Sequence, residues 1–502
     1  MSLFELVTSG DVNEYAITSQ NKNPLTYSQL KFQIKKIGYQ LAGLGLSAKD
    51  RVAIVLPNGP EMAVSFLSIS CFMSAAPLNP NYTENEFEFY LNDLKPKLII
   101  TIKDFNSNLL TVAKKLKINL IEIKVLKDSP SGIFDLCNLE KDILLPEENN
   151  EALVLHTSGT TSRPKVVPLS QKNIIRSAEN ISLSLNLTNK DHCLNIMPLF
   201  HIHGLIAVVV SSLSQGASIC CSNGFNAVNF LELATKEKIT WYSGVPTMHQ
   251  AILFRAIKNK LKAKNLNLRF IRSSSASLPP NVFNDLNKTF DCPVVEAYGM
   301  TEAAHQMTSN PIQNNKQKAG FVGIVTNPKV KIKDNNGNNL KLGEEGEICI
   351  KGENVTKGYE NNDKANQESF YGEWFRTGDQ GYFDSDGYLK ITGRLKEIIN
   401  RGGEKISPIE IDNILMEHNE IMQVVTFSIP DKLLGEDIAV AIVKKEGSKL
   451  TESEIKSYAK EKLAKFKIPK KVLFLNEIPK GTTGKLQRIG LAQKLNLIKN
   501  NK

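Results

Sequence analysis

"TSGTTSRPK", residues 157–165, lies between the apolar run "EALVL" (151–155) and the stretch "VVPLS" (166–170). Thr157, Ser158, Thr160, Thr161 and Ser162 supply hydroxyls, and Lys165 adds a positive charge. Gly159 permits close approach to the backbone. Ser170 reads as the N-cap of a helix beginning "QKNIIRSAENISL". A strand, a small polar loop and a helix form the setting in which backbone N–H groups and hydroxyls cradle phosphate. The loop is not a Walker loop, because Gly-Lys-Ser/Thr is missing. On these residues alone, a generic Ser/Thr-rich turn remains open.

Working outward, residues 50 to about 300 alternate strand-like and helix-like runs. "RVAIVLPN" is followed by "PEMAVSFLSISCFM", then "TENEFEFYLNDL" with Thr83 and Glu86 at capping-box spacing, then "KLIIT". The alternation resumes after the loop: "HCLNIM", "NFLELATKEK", "TWYSG", "PTMHQAILFRAI", "RFIRS", "PNVFNDLNKTF" and "PVVEA". This order predicts mostly parallel sheets covered by helices, with ligands at the carboxyl ends of strands. After about 320, "VKIKDNNGNNLKL" and "GYFDSDGYLKITG" place Asn336-Gly337 and Asp386-Gly387 between strand-like runs, which predicts a small antiparallel subdomain. "GRLKEIINRGGEKISPIEID" leads into a last α+β segment, where Ser407, Pro408 and Glu410 have the order of a helix start. Thr451 and Glu454 repeat the capping-box spacing.

The chain has 502 residues, too many for one core, so at least two domains are expected. Hydrophobic residues make up 41% and charged residues 23%, an ordinary globular balance. The longest apolar runs, such as "GLIAVVVSSL", fall short of the roughly 20 residues of a membrane helix. No secretory signal opens the chain and "KNNK" is not the peroxisomal Ser-Lys-Leu address; a cytoplasmic setting is expected, with a peroxisomal one as the alternative. Seven cysteines lack Cys-x-x-Cys spacing, which favours reduced thiols over zinc or disulfides. The formal charge is +10. From Lys396 to Lys502, 20 Lys plus Arg stand against 14 Asp plus Glu, so +6 of it lies there. A solvated helix face and a polyanionic ligand (nucleotide, coenzyme A or RNA) both fit.

"EAYGMTEAAHQMTSNP" (296–311) sets Glu302 and His305 three apart, which on a helix would place them on one face. That spacing also occurs in two-metal carboxylate bundles, but those need a second such pair, and no other histidine here has Glu three residues before it. His201 and His203 in "PLFHIHGL" resemble a metal pair without a third ligand at sensible spacing.

Taken in order, "TSGTTSRPK", "PLFH", "YGMTE", "RTGD", "GRLKEIINRGGEKI" and "PKGTTGK" resemble the motifs of the adenylate-forming superfamily, which includes acyl-CoA synthetases, firefly-type luciferases and peptide-synthetase adenylation domains. The resemblance covers essentially the whole chain. Ser162 and Val166 stand where the family loop usually has glycine, and Thr483 where the lysine motif usually has serine.

The resemblance implies an N-terminal adenylate-forming domain over 1–394, with its β-rich subdomain at about 320–394. A C-terminal domain over 395–502 would rotate about a hinge at Lys396. It implies that a carboxylate attacks the α-phosphate of ATP, releasing pyrophosphate, before acyl transfer to coenzyme A. Lys485 matches the catalytic lysine, and Glu302 the magnesium carboxylate. Thr157, Ser158, Gly159, Thr160, Thr161, Ser162, Lys165 and Thr301 match phosphate contacts. Glu296, Ala297 and Tyr298 match the adenine side, and Asp379 and Arg394 the ribose side. Gly402 and Gly403 would line the pantetheine tunnel, and His201 occupies the gate position.

Within the superfamily, "HTSGTTSRPK", "RSSSASL", "EAYGMTEAAHQM" and "NRGGEKISPIEID" resemble the oxalate–CoA ligase branch. Oxalate is a small dianion whose second carboxylate needs neutralising, and His201, Ser275 and His305 are the candidates. A short- or medium-chain fatty acid or a coumarate-type acid is the alternative substrate. An RNA-associated binding protein using the basic C-terminal face is the alternative of another class, disfavoured because its lysines interleave with Glu and lack aromatic platforms.

Overall fold

The computed structural model describes residues 1–126, 128–157, 164–259, 263, 265–481 and 485–498. Two mostly parallel sheets carry the large N-terminal part. The six-stranded sheet runs Asn119–Ile123, Leu98–Ile102, Arg51–Ile54, Ser74–Pro77, Glu151–His156, Val166–Ser170. The nine-stranded sheet holds the parallel strands Val294–Met300, Phe270–Ser274, Trp241–Gly244, His192–Asn195, Ser218–Cys221 and Tyr15–Thr18, with antiparallel strands at both edges. Helices cover these strands, which is why runs such as "LIIT" are apolar on both faces. Trp241 stacks on Phe270, ring centroids 5.1 Å apart, inside the larger sheet's core.

Local chemistry explains most element boundaries. The helices Glu84–Leu94, Gln171–Ser184 and Glu452–Lys462 each start in a complete capping box, at Thr83, Ser170 and Thr451. The Ser407 helix start differs: Pro408–Met416 is helical, but the Ser407 hydroxyl donates to the Thr392 carbonyl instead of capping. The apolar run after His201 coils into a π-helix, His203–Val210, every residue of which is buried. A helix apolar all round has no solvent face to offer.

The strand–loop–helix expectation for 151–171 needs one change. Strands Glu151–His156 and Val166–Ser170 pair antiparallel, so the loop between them joins a hairpin before the helix begins. Thr157 and Lys165 close it: Thr157 N donates to Lys165 O at 2.9 Å and Lys165 N to Thr157 Oγ1 at 3.0 Å. Ser158, Gly159, Thr160, Thr161 and Ser162 lie outside the described residues.

Two further sheets complete the chain. Strands Lys329–Lys333, Gly346–Lys351, Trp374–Phe383, Phe370–Tyr371 and Leu389–Arg394 form the antiparallel one, with Gly337 and Gly387 in the left-handed region at its turns. The C-terminal sheet is built on the long hairpin Ile421–Asp431 with Gly435–Lys444, to which Lys471–Phe474 adds in parallel. This α+β unit packs against the large part; Asn281 Nδ2 donates to Met416 O at 2.8 Å across the contact. The basic face is largely paired: Lys456 with Glu452, Lys462 with Glu417, Lys467 with Glu410 and Lys470 with Asp431.

Candidate active site

The carboxyl ends of the large sheet's strands, the antiparallel subdomain and the C-terminal unit enclose a cavity of about 800 Å³. Thr157, Lys165, His201, Ser275, Ala297, Tyr298, Thr301, Glu302, His305, Asp379, Arg394, Lys396 and Lys485 all line it. Residues more than 300 apart in sequence thus share one space, as six ordered motifs predict.

Glu302 and His305 are not on an α-helix. Thr301–Ala303 is one turn of 3₁₀-helix, Ala304 is left-handed, and His305 begins a strand with φ of 108°. The chain therefore doubles back against Val294–Met300, pairing Met300 with His305. Gly299 makes the return possible, since a Cβ there would lie 1.9 Å from the His305 carbonyl oxygen. Glu302 Oε1 accepts from Tyr359 Oη at 2.7 Å, and the Lys165 ammonium rests 4.1 Å above that same Tyr359 ring. Burial raises the Glu302 carboxyl, and the Tyr359 bond works against that rise. Burial, then the charge of Lys396, lowers Lys165.

Strand pairing places Asp379 opposite Arg394. Arg394 Nε donates to Asp379 Oδ1 at 2.7 Å, and Tyr298 Oη donates to Asp379 Oδ2 at 2.6 Å. Asp379 is 4% exposed, so the pair holds Arg394 firmly protonated. Lys485 enters the same cavity. Burial first, then the charge of Arg394, lowers its ammonium to about 8. Burial first, then the charge of Lys485, holds His201 neutral, down to about 3, and His201 Nδ1 accepts from His203 N at 3.2 Å.

Below His201 and His305 lies a polar cluster inside an apolar sheet. His203 is fully buried; its Nδ1 is 3.0 Å from Ser275 Oγ and its Nε2 2.6 Å from Ser243 Oγ. Ser275 turns to meet it with φ of 74°. The His203 and His305 rings pack with centroids 4.9 Å apart. Behind them Arg272, 0% exposed, donates from Nη1 to Ser243 Oγ at 3.2 Å and from Nη2 to Gln306 Oε1 at 2.8 Å. Among the described residues no carboxylate pairs with it. Burial lowers the guanidinium to about 9, which still leaves it charged at neutral pH.

Three residues named from the motifs lie outside the cavity's lining. The Glu296 side chain points into the protein, accepting from Leu278 N at 2.9 Å, and burial raises it to about 8. Gly402 and Gly403 form an exposed turn between Ile399–Arg401 and Glu404–Ile406 and do not reach the cavity. Sequence reasoning missed Arg272, Ser243, Gln306 and Tyr359. A charge at the third position of "FIRSS", an otherwise uncharged strand, was the available signal for Arg272; no spacing pattern links Tyr359 to Glu302.

A model described as AMP-binding enzyme matches residues 7–360, and one described as AMP-binding enzyme C-terminal domain matches 410–485. The chain belongs to the AMP-binding enzyme family and is an adenylate-forming acid–CoA ligase. It is similar to an oxalate–CoA ligase of Arabidopsis thaliana, 42% identical over 501 residues, covering 98% of this chain and 97% of that protein. It is also similar to an oxalate–CoA ligase of Saccharomyces cerevisiae, 44% identical over 483 residues, covering 89% and 87%. The fold is that of the o-succinylbenzoate–CoA synthetase of Bacillus subtilis solved with ATP and a magnesium ion: TM-score 0.83, 26% identity, coverage 98% and 99%.

Proposed function

We propose that the chain joins oxalate to coenzyme A, forming oxalyl-adenylate and pyrophosphate from ATP and then the oxalyl thioester. One observation carries the choice of acid. Arg272 is a buried cation with no carboxylate partner among the described residues, and it contacts His203 and His305, of which His305 lines the cavity. An uncompensated buried ion costs several kcal/mol. A small dianion in the cavity brings a compensating negative charge near Arg272, acting across His305 without direct contact, whereas an alkyl or aromatic tail would bring none and bury its own apolar surface against imidazole. The two oxalate–CoA ligases similar to this chain support the same reading.

In this proposal the substrate carboxylate and the α-phosphate are both anions, so the site must hold them together and neutralise what develops. The Lys485 ammonium bridges the two. Asp379 and Arg394 take the ribose hydroxyls, and Tyr298 and Ala297 border the adenine. Thr157, Lys165 and Thr301 contact phosphate. Glu302 would hold magnesium, which when bound neutralises phosphate charge. The residue fits, because magnesium takes hard oxygen donors and one carboxylate suffices when phosphates and water complete the shell. Its other oxygen is already fixed by Tyr359. Residues 395–502 then turn about Lys396, withdrawing Lys485 and bringing Gly402 and Gly403 to the pantetheine arm. We place the protein in the cytoplasm, a setting that suits its unpaired cysteines; among the described residues no helix is long and apolar enough to cross a membrane.

The test is a panel of acids offered to the purified protein with ATP, magnesium and coenzyme A: oxalate, malonate, acetate, octanoate and coumarate. Oxalate is expected to give the highest kcat/KM. Octanoate or coumarate ahead of it would overturn the proposal.

A further inference from the structure

A guanidinium carries only donors, so whatever Arg272 touches must accept. Its Nη1 lies 3.3 Å from His203 Nε2, and its Nη2 lies 3.5 Å from His305 Nδ1. A neutral imidazole has one donor and one acceptor nitrogen. Contact with Arg272 therefore assigns the protons: His203 carries its hydrogen on Nδ1, and His305 carries its hydrogen on Nε2. His203 Nδ1–H then donates to Ser275 Oγ at 3.0 Å. With that lone pair used, the Ser275 hydroxyl hydrogen is free to point into the cavity, which Ser275 and His305 both line.

Arg272 is itself held in place. Gln306 Oε1 accepts from Nη2, while Gln306 Nε2 donates to Ser184 Oγ at 2.8 Å, which fixes the amide's orientation. Ser243, the other contact of His203 Nε2, does not set the tautomer, since a hydroxyl can donate or accept. Its oxygen already accepts from Arg272 Nη1, so its hydrogen shares the single His203 Nε2 lone pair with the guanidinium in a three-centre bond. Burial and the nearby positive charge of Arg272 keep both imidazoles neutral, the state in which a tautomer exists.

We propose that Arg272 is a positioning and specificity-determining residue: it fixes the tautomers of His203 and His305 so that Ser275 Oγ–H and His305 Nε2–H both donate toward an anion in the acid pocket. The identity of that anion rests on the oxalate reading above; the proton arrangement does not.

The test uses the full chain with ring-¹⁵N histidine, with His203→Gln and His305→Gln serving only to assign signals. Long-range ¹H–¹⁵N spectra of the unliganded wild type are expected to show His203 protonated on Nδ1 and His305 on Nε2. Arg272→Met is expected to mix the His203 tautomers and to lower kcat/KM for the acid about 10- to 100-fold, with KM for ATP within about twofold. Arg272→Lys is expected to recover part of the loss. Wild-type His203 protonated on Nε2, or unchanged tautomers in a folded Arg272→Met, would overturn the proposal. If Arg272→Met fails to fold, the wild-type spectra still decide. If the tautomers are as stated but another acid wins the panel, the positioning role stands and the oxalate reading falls; the reverse result sinks this inference and leaves oxalate in place.

Discussion

If Lys485 has the proposed role, its lowered ammonium should make the first half-reaction sensitive to mildly alkaline pH. Its folded-state value is about 8, against 10.5 for a free lysine. The proposed role needs the cation, which is present below that value and lost above it. About nine-tenths of the sites are charged at pH 7 and about one-tenth at pH 9, so kcat/KM for adenylation should fall about tenfold over that range. ATP–pyrophosphate exchange at low substrate is the appropriate assay. It leaves out coenzyme A, whose thiol titrates nearby, and from pH 7.5 upward the carboxylate and phosphates keep constant charge. Unfolding cannot mimic the effect through this group. Between about 8 and 10.5 the unfolded chain binds more protons at Lys485 than the folded one, so stability there rises with pH. Lys485→Arg should be slower overall yet show no such limb, since guanidinium stays charged. A wild-type profile flat to pH 9.5, or the same limb in Lys485→Arg, would refute the assignment.

Other outcomes follow from the same geometry. Gly299→Ala must push the His305 carbonyl aside, and is expected to cost about 10²-fold in kcat/KM for the acid while the melting temperature shows the chain still folds. His305→Ala is expected to raise KM for oxalate about 10- to 100-fold with KM for ATP changed less than about twofold; equal effects on both would separate His305 from the acid. Lys396→Pro should slow thioester formation in single-turnover assays more than it slows adenylation, and equal loss in both would remove the hinge role.

The hydrophobic periodicity and capping residues made most of the architecture legible. Thr83, Ser170 and Thr451 begin helices as expected, and Asn336-Gly337 and Asp386-Gly387 lie in turns of the antiparallel sheet. What stayed hidden was non-local. The loop after His156 closes a hairpin because Val166–Ser170 finds an edge to pair with, and strand pairing is not written in a short window. Glu302 and His305 suggested a helix face, but Ala304 in the left-handed region and the tight approach at Gly299 turned the segment into a strand. Glu296 was expected beside the adenine through its backbone, and strand alternation turns its side chain inward. Only the charge inside "FIRSS" pointed to Arg272, because its partners come from three separate segments, around 203, 243 and 305.

The short turn Thr301–Ala304 has a thermodynamic consequence. It carries Glu302 at one end and delivers His305 at the other, with Thr356 N bonded to the Glu302 carbonyl to hold it. Only Ala303 and Ala304 separate the two residues, so a shift of the turn moves both. On the proposed roles, occupancy at the Glu302 end and occupancy at the His305 end are linked by a single coupling free energy. By reciprocity, whatever factor the nucleotide adds to the affinity for the acid, the acid returns to the nucleotide in equal measure.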